Sequence, residues 1–180
     1  MIEKISEKEY LIRSIIDLLT RYDLDDVTVK MICANCHTST RTYYNYFRDK
    51  NDIVAQAFYL IAEGYYKQHE AELSMHDLLM YMAEMVCRYS AFFKHAFAYK
   101  GQNNIRFSLV HPLRSLLERF YQKKTGTPPD AATLDAMSFF VRGMLAYVEE
   151  RISMDRIPSA IESVAVFENG MPEILKQAFV

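Results

Sequence analysis

Apolar side chains recur at three- and four-residue intervals through most of this chain, and nowhere does a two-residue alternation of the kind that marks a strand compete with them. Between Glu9 and Tyr22 they fall at Leu11, Ile12, Ile15, Ile16, Leu18, Leu19 and Tyr22. A second series runs Leu78, Leu79, Met82, Met85, Val86, Tyr89, Phe93, and a third Leu134, Met137, Val141, Met144, Leu145, Val148, Ile152. Each series puts one stripe on one side of a helix, so the segments must bury those stripes against one another. Hydrophobic residues make up 51% of the 180 positions, with only five Gly and five Pro, which argues against disorder and against a turn-rich β fold. The expected class is all-α.

Capping residues divide the pattern into elements. Thr28 can cap a short helix from Val29 to about Cys36, and Ser39 another to about Phe47, because a hydroxyl there accepts an otherwise unsatisfied backbone N–H. Asp49 with Asp52, and Ser74 with Asp77, have the spacing of capping boxes ahead of longer helices. The first of these runs to about His69, the second through Phe93. A short helix around Phe92 to Tyr99 precedes a break at Gly101-Gln102-Asn103. Ile105 to Lys124 follows, where Pro112 predicts a kink or break near His111 because it removes one ladder bond. Thr125-Gly126-Thr127-Pro128-Pro129 reads as a linker, Pro158 suits a first helical turn, and Gly170-Met171-Pro172 interrupts the last helical region.

Two short helices between long ones, over Val27 to Lys50, form the arrangement that carries function. The second presents Thr40, Arg41, Thr42, Tyr44, Asn45 and Tyr46, a hydrogen-bonding face rather than a packing face. Tyr43 falls with Phe47 on the other side and is expected in the core. Net charge over the whole chain is -2, but this stretch holds Lys30, Arg41, Arg48 and Lys50 against Asp49 alone, a local charge of +3. The positive charge lies where phosphates would be.

Thr28-Val29 and Ile32, Ser39 and Thr42, then Tyr44, Tyr46, Phe47 and Lys50 make this stretch resemble the DNA-binding signature of the TetR family of transcriptional regulators. The resemblance covers roughly the first 60 residues. It implies a three-helix helix-turn-helix domain over residues 1–50, a fourth helix from about 50 to 69 as connector, and a helical ligand-binding and dimerisation domain over 70–180. It also implies a homodimer that binds double-stranded operator DNA and acts as a repressor that a small molecule releases. Thr28 and Lys30 would hold phosphates, Thr40 and Arg41 would face base edges, and Thr42, Tyr44 and Tyr46 would meet phosphate or sugar. Lys50 would bind a further phosphate with help from its helix N-terminus. The chain departs from the family at His37, where a turn glycine is usual, and at Met31, where an acidic residue is common.

Other signals carry less. Cys33-Ala34-Asn35-Cys36-His37 has the letters of a haem attachment motif, but it falls inside the helix-turn-helix and zinc would need a fourth ligand that no neighbour supplies. No cofactor is expected. A search for the Glu-x-x-His pairs of a di-iron bundle finds only His69 beside Glu70 and Glu72, in the wrong order and spacing. The chain is therefore not expected to be an enzyme, although a helical-bundle enzyme and a helical protein-interaction adaptor remain the alternatives. Its charged start has no signal-peptide pattern and no segment is long and apolar enough to span a bilayer, so a cytoplasmic protein without membrane contact is expected.

The middle of the chain is rich in Met and aromatics, which suit a pocket for a small apolar or aromatic ligand; Met82, Met85, Phe93, Phe97, Phe107, His111 and Phe120 are its candidate lining. The near-heptad seam Leu134, Met137, Val141, Met144, Leu145 and Val148, with Gly143 permitting close approach, is the candidate dimer interface.

Overall fold

The computed structural model describes residues 5–69, 74–99 and 105–179, with the backbone alone over 63–69. Among them the chain is helical throughout: α1 Glu7–Leu18, α2 Val29–Asn35, α3 Thr40–Tyr46, α4 Lys50–His69, α5 Met75–Arg88, α6 Ser90–Phe97, α7 Ile105–Thr125, α8 Ala131–Ser153, α9 Ala160–Gly170 and α10 Glu173–Phe179. The break expected at Gly101–Asn103 lies outside the described residues, as do the side chains of His69, Glu70 and Glu72.

Most starts are fixed by the caps that the sequence announces. Ser6, Thr28, Ser39 and Asp130 each accept a backbone N–H three residues on, and Ser74 with Asp77 closes a full capping box. A second full box, Ser159 with Glu162, opens α9, so Pro158 lies just before the cap rather than in the first turn. Its S-x-x-E spelling is the local sequence signal for such a box. α7 runs unbroken through Pro112, so the expected break does not occur. One missing N–H is a small loss beside the burial of Leu109, Leu113, Leu116 and Leu117 on the same helix. Gly126, at φ 74°, ends α7 in the left-handed region that a side chain would resist.

α1 packs on α2 and α4 through Leu11, Ile15 and Leu19, all fully buried, whereas Tyr22, beyond the helix end, is exposed. α4 then continues from the first three helices onto α7, which lies along α8, while α5 lies along α9. One continuous cluster of buried side chains runs from Leu11 to Leu175 through both halves. The helix-turn-helix is thus mounted on the larger helical body through α4.

The α8 seam serves this body. Met137 and Val141 are fully buried, Met144 and Leu145 nearly so, and Leu134 and Val148 are half-buried, all within the single chain. A Cβ added at Gly143 would meet nothing within 4 Å, so that glycine makes no close helix approach here. What α8 and α9 leave in solvent is instead Phe139 on α8 and Ile161 on α9, each 73% exposed, and Val166 on α9 at 44%.

Candidate nucleic-acid interface

The turn between α2 and α3 sets the angle at which α3 is presented. His37 takes φ 54°, its N–H donates to the Ala34 carbonyl, and the Thr38 N–H reaches back to Cys33 at 2.9 Å. This is a Schellman ending, in which the position usually given to glycine is filled by a histidine that tolerates the left-handed region. Thr38 then leads directly to the Ser39 cap, whose hydroxyl oxygen accepts the Thr42 N–H at 3.0 Å.

Behind α3, Tyr43 is fully buried against Phe47, as their shared face predicts, and its phenol donates to the Asp49 carbonyl at 2.8 Å. Burial, with the nearby carboxylate of Asp49, pushes that phenol well above its ordinary range, so it stays a donor. The same bond fixes α3 to the start of α4, where Asp49 accepts the Asp52 N–H and Asp52 accepts the Arg48 N–H. Between α1 and α2, the buried Ser14 hydroxyl donates to the Ile32 carbonyl at 2.8 Å and accepts from the Asn35 amide. Sequence reading gave Ser14 no role, since its small polar side chain interrupts the apolar stripe.

With the rear held, the front of α3 is free. Thr40, Arg41 and Asn45 are exposed, Tyr44 is 63% exposed and Tyr46 41%. Thr42 is half-buried, its hydroxyl 2.9 Å from that of Ser39. On α2, Lys30 is exposed, and Thr28 accepts the Met31 N–H while its own hydroxyl proton remains available. Nine of the expected contacts, Thr28, Lys30, Ser39, Thr40, Arg41, Thr42, Tyr44, Asn45 and Tyr46, therefore lie on these two short helices and their caps.

Lys50 is placed differently from its expected role. Its ammonium donates to the carbonyls of Leu24 at 2.5 Å, Val27 at 2.8 Å and Asp25 at 3.3 Å. An ammonium has three N–H bonds, and here all three close the loop that precedes the Thr28 cap, leaving none for a phosphate. The same loop is held from α6: His95 Nδ1 lies 2.5 Å from Asp23 Oδ1, and the Leu24 N–H donates to the His95 carbonyl at 3.3 Å. Neither contact has a local sequence signal, because the partners are 23 to 72 residues apart. The cysteines take no part in this surface: Cys33 is buried, and burial pushes its thiol up, away from the reactive thiolate.

The candidate ligand residues do not converge. Met82, Met85, Phe93 and Phe97 surround an apolar cavity of only about 30 Å³, roughly the share of one water in the liquid. Phe120 packs instead on Phe179. Phe107 and His111 are exposed and line a separate groove of about 610 Å³ against the start of α4. The expected apolar chamber is closed because aromatic rings fill it, Phe93 stacking on Phe97 and meeting Phe58 and Phe92 edge-on.

No family model matches the sequence, and no curated protein gives a significant match. Solved structures do share the fold. The dihydroxyacetone kinase operon activator DhaS superposes with a TM-score of 0.59 at 12% identity, covering 96% of this chain and 95% of DhaS. RolR, solved without ligand, gives 0.59 at 15% identity over 94% of this chain and 92% of its own. A Clostridium perfringens protein described as a fatty acid metabolism regulator gives 0.50 at 15% identity over 94% and 96%. At these identities the likeness is one of fold, and it extends over the whole of each chain rather than over the helix-turn-helix alone. Among the described residues no helix is long and apolar enough to cross a membrane.

Proposed function

We propose that this chain is a DNA-binding transcriptional regulator, a homodimeric repressor that a small molecule releases from its operator. The observation that carries the reading is the exposed face of α3: Thr40, Arg41, Tyr44 and Asn45 point outward from a helix whose opposite side is fixed by Tyr43 and Phe47. Such a helix can enter a major groove without rearranging. Arg41 reaches base edges, while Lys30, Thr28 and Tyr44 hold phosphates on either side. An activator and a regulator among the proteins of this fold support the reading, and none of its steps requires catalysis.

For the dimer, the exposed Phe139 and Ile161 replace the α8 seam as the surface a second copy covers, because the seam is already buried. Two copies place two α3 helices on one duplex, which a monomer of this size cannot do.

A binding-site selection at fixed salt tests the reading. Arg41→Ala should relax preference at one base position, at about 1–3 kcal/mol per half-site. Tyr44→Phe should weaken every sequence alike, since a phenol on phosphate reads no base. Recovery of no consensus by the wild-type protein would remove the regulator reading. Recovery of an unchanged consensus by Arg41→Ala would move base reading to Thr40 and Asn45.

A further inference from the structure

We propose that the groove between the start of α4 and α7 is a binding site for a small organic ammonium carrying an apolar or aromatic body. Its volume, about 610 Å³, lies within the range of small-molecule sites. Asn51, in the first turn of α4, lines it, is 93% buried, and its Oδ1 has no hydrogen-bond partner in the protein. Buried side-chain amides are ordinarily satisfied, so an orphaned acceptor beside a cavity is itself a sign of a missing donor.

The facing wall carries the proline of α7. Pro112 has no N–H, so the Ser108 carbonyl, one turn earlier on α7, lacks its helical donor, and both residues line the groove. Asp49 and Asp52 add two carboxylates. Asp52 is only 20% exposed and already accepts the Arg48 N–H at 3.0 Å and the Gln56 amide at 2.9 Å, yet an ionised carboxylate has lone pairs for further donors. Against these stands the Arg48 guanidinium, 91% exposed at the rim and 3.8 Å from Asp52. Arg106 lies over the Phe107 ring and is paired with Glu149 at 3.2 Å.

Two carboxylates thus stand against the Arg48 guanidinium and the His111 imidazole, and an anion in the groove would face both carboxylates. A ligand offering several N–H donors and one positive charge fits it. Phe107, 57% exposed, and Pro112 provide an apolar wall for the rest of the molecule. Because only three residues separate α3 from α4, an occupant touches the helix-turn-helix and the larger body together. Its effect on DNA rests on the regulator reading and requires unequal affinity for two conformations; binding itself rests on the groove alone.

The test titrates the full chain at neutral pH with phenethylamine, phenylacetate and 2-phenylethanol, following the backbone amides of residues 48–56 and 107–111 by NMR and the affinity of each variant by calorimetry. The amine should shift those resonances saturably and bind at least about ten-fold more tightly than the carboxylate. Asn51→Leu should lower amine affinity by a similar factor of about ten while keeping the thermal midpoint at or above wild type, because it removes a buried acceptor that has no partner. Phe107→Ala, on an exposed side chain, should also weaken the amine without unfolding the protein. Equal binding of phenylacetate, wild-type affinity in both variants, or no saturable amine binding at millimolar concentration would overturn the proposal. Amine binding in a protein that selects no DNA sequence would overturn the regulator reading and leave this site standing.

Discussion

Replacing Lys50 by Met keeps the aliphatic stem and removes only the ammonium, so it isolates the bonds that close the loop at residues 24–27. Two of its three acceptors, the carbonyls of Leu24 and Val27, belong to fully buried residues and lie at 2.5 and 2.8 Å, while the Asp25 contact at 3.3 Å is exposed and weak. Hydrogen bonds to a charged group contribute about 1.5–3 kcal/mol each, but the ammonium also loses hydration in this half-buried position, so the net expected loss is about 2–3 kcal/mol. For a chain of this size 1 kcal/mol moves the thermal midpoint by about 2–4 °C, giving an expected drop of about 5–10 °C. Urea unfolding followed by circular dichroism and a thermal scan measure it, with salt-dependent DNA titration alongside. A phosphate-binding lysine behaves in the opposite way: stability stays put, affinity falls for all sequences, and the salt slope flattens by about one per half-site. Wild-type stability in Lys50→Met together with that flattened slope would refute the assignment of Lys50 to the loop.

Three further outcomes are expected. Ser14→Ala removes a buried hydroxyl that donates to Ile32 at 2.8 Å and accepts from Asn35, and should lower unfolding stability by about 1–2 kcal/mol; an unchanged urea midpoint would show that α1 and α2 are held by apolar contact alone. Hydroxyls and backbone N–H groups of Ser74, Thr133 and Ser159 hold the carboxyls of Asp77, Asp130 and Glu162 below their ordinary range. Their folded values lie below their unfolded ones, so the stability they confer is present at neutral pH and is lost as pH falls below about 4; the combined Asn, Asn and Gln variants should show a flatter acid limb in thermal midpoint against pH. Phe139→Glu places a charge on the 73% exposed apolar face of α8 and should give a monomer in sedimentation velocity at micromolar concentration, whereas an intact dimer would place the interface elsewhere.

What the sequence made legible was local. Thr28, Ser39 and Ser74 cap where their spacing says they should, because a cap and its acceptor N–H are three residues apart and no other part of the molecule is consulted. The exposed face of α3 followed for the same reason, since one helical period separates Tyr43 from Phe47 and leaves Thr40, Arg41 and Tyr44 on other sides. Lys50 looked like a phosphate ligand because its position and charge allow that role equally well; only the folded loop shows three carbonyls converging on it. The α8 seam failed as a dimer surface for a related reason. An apolar stripe records that something covers it, and α7 within the same chain covers it as well as a second copy could.

The loop from Asp23 to Val27 shows why such long-range contacts matter more here than the stripes do. It is tied to α4 by Lys50 and to α6 by His95, once through the Asp23 carboxylate and once through backbone. Of these, α4 begins at the helix-turn-helix and α6 belongs to the larger body, so the loop touches both. If α6 shifts along its axis, His95 must either carry Asp23 with it or release it, and the Thr28 cap that starts α2 lies five residues further on. The His95–Asp23 pair is partly exposed, 25% and 51% for the two side chains, so releasing it costs little and cannot by itself hold two states apart. The buried end of the same loop, Leu24 and Val27 with the ammonium of Lys50, is the stiff part. The loop that leads into the Thr28 cap is thus held from both sides, by the backbone bond between Leu24 and His95 and by the ammonium of Lys50.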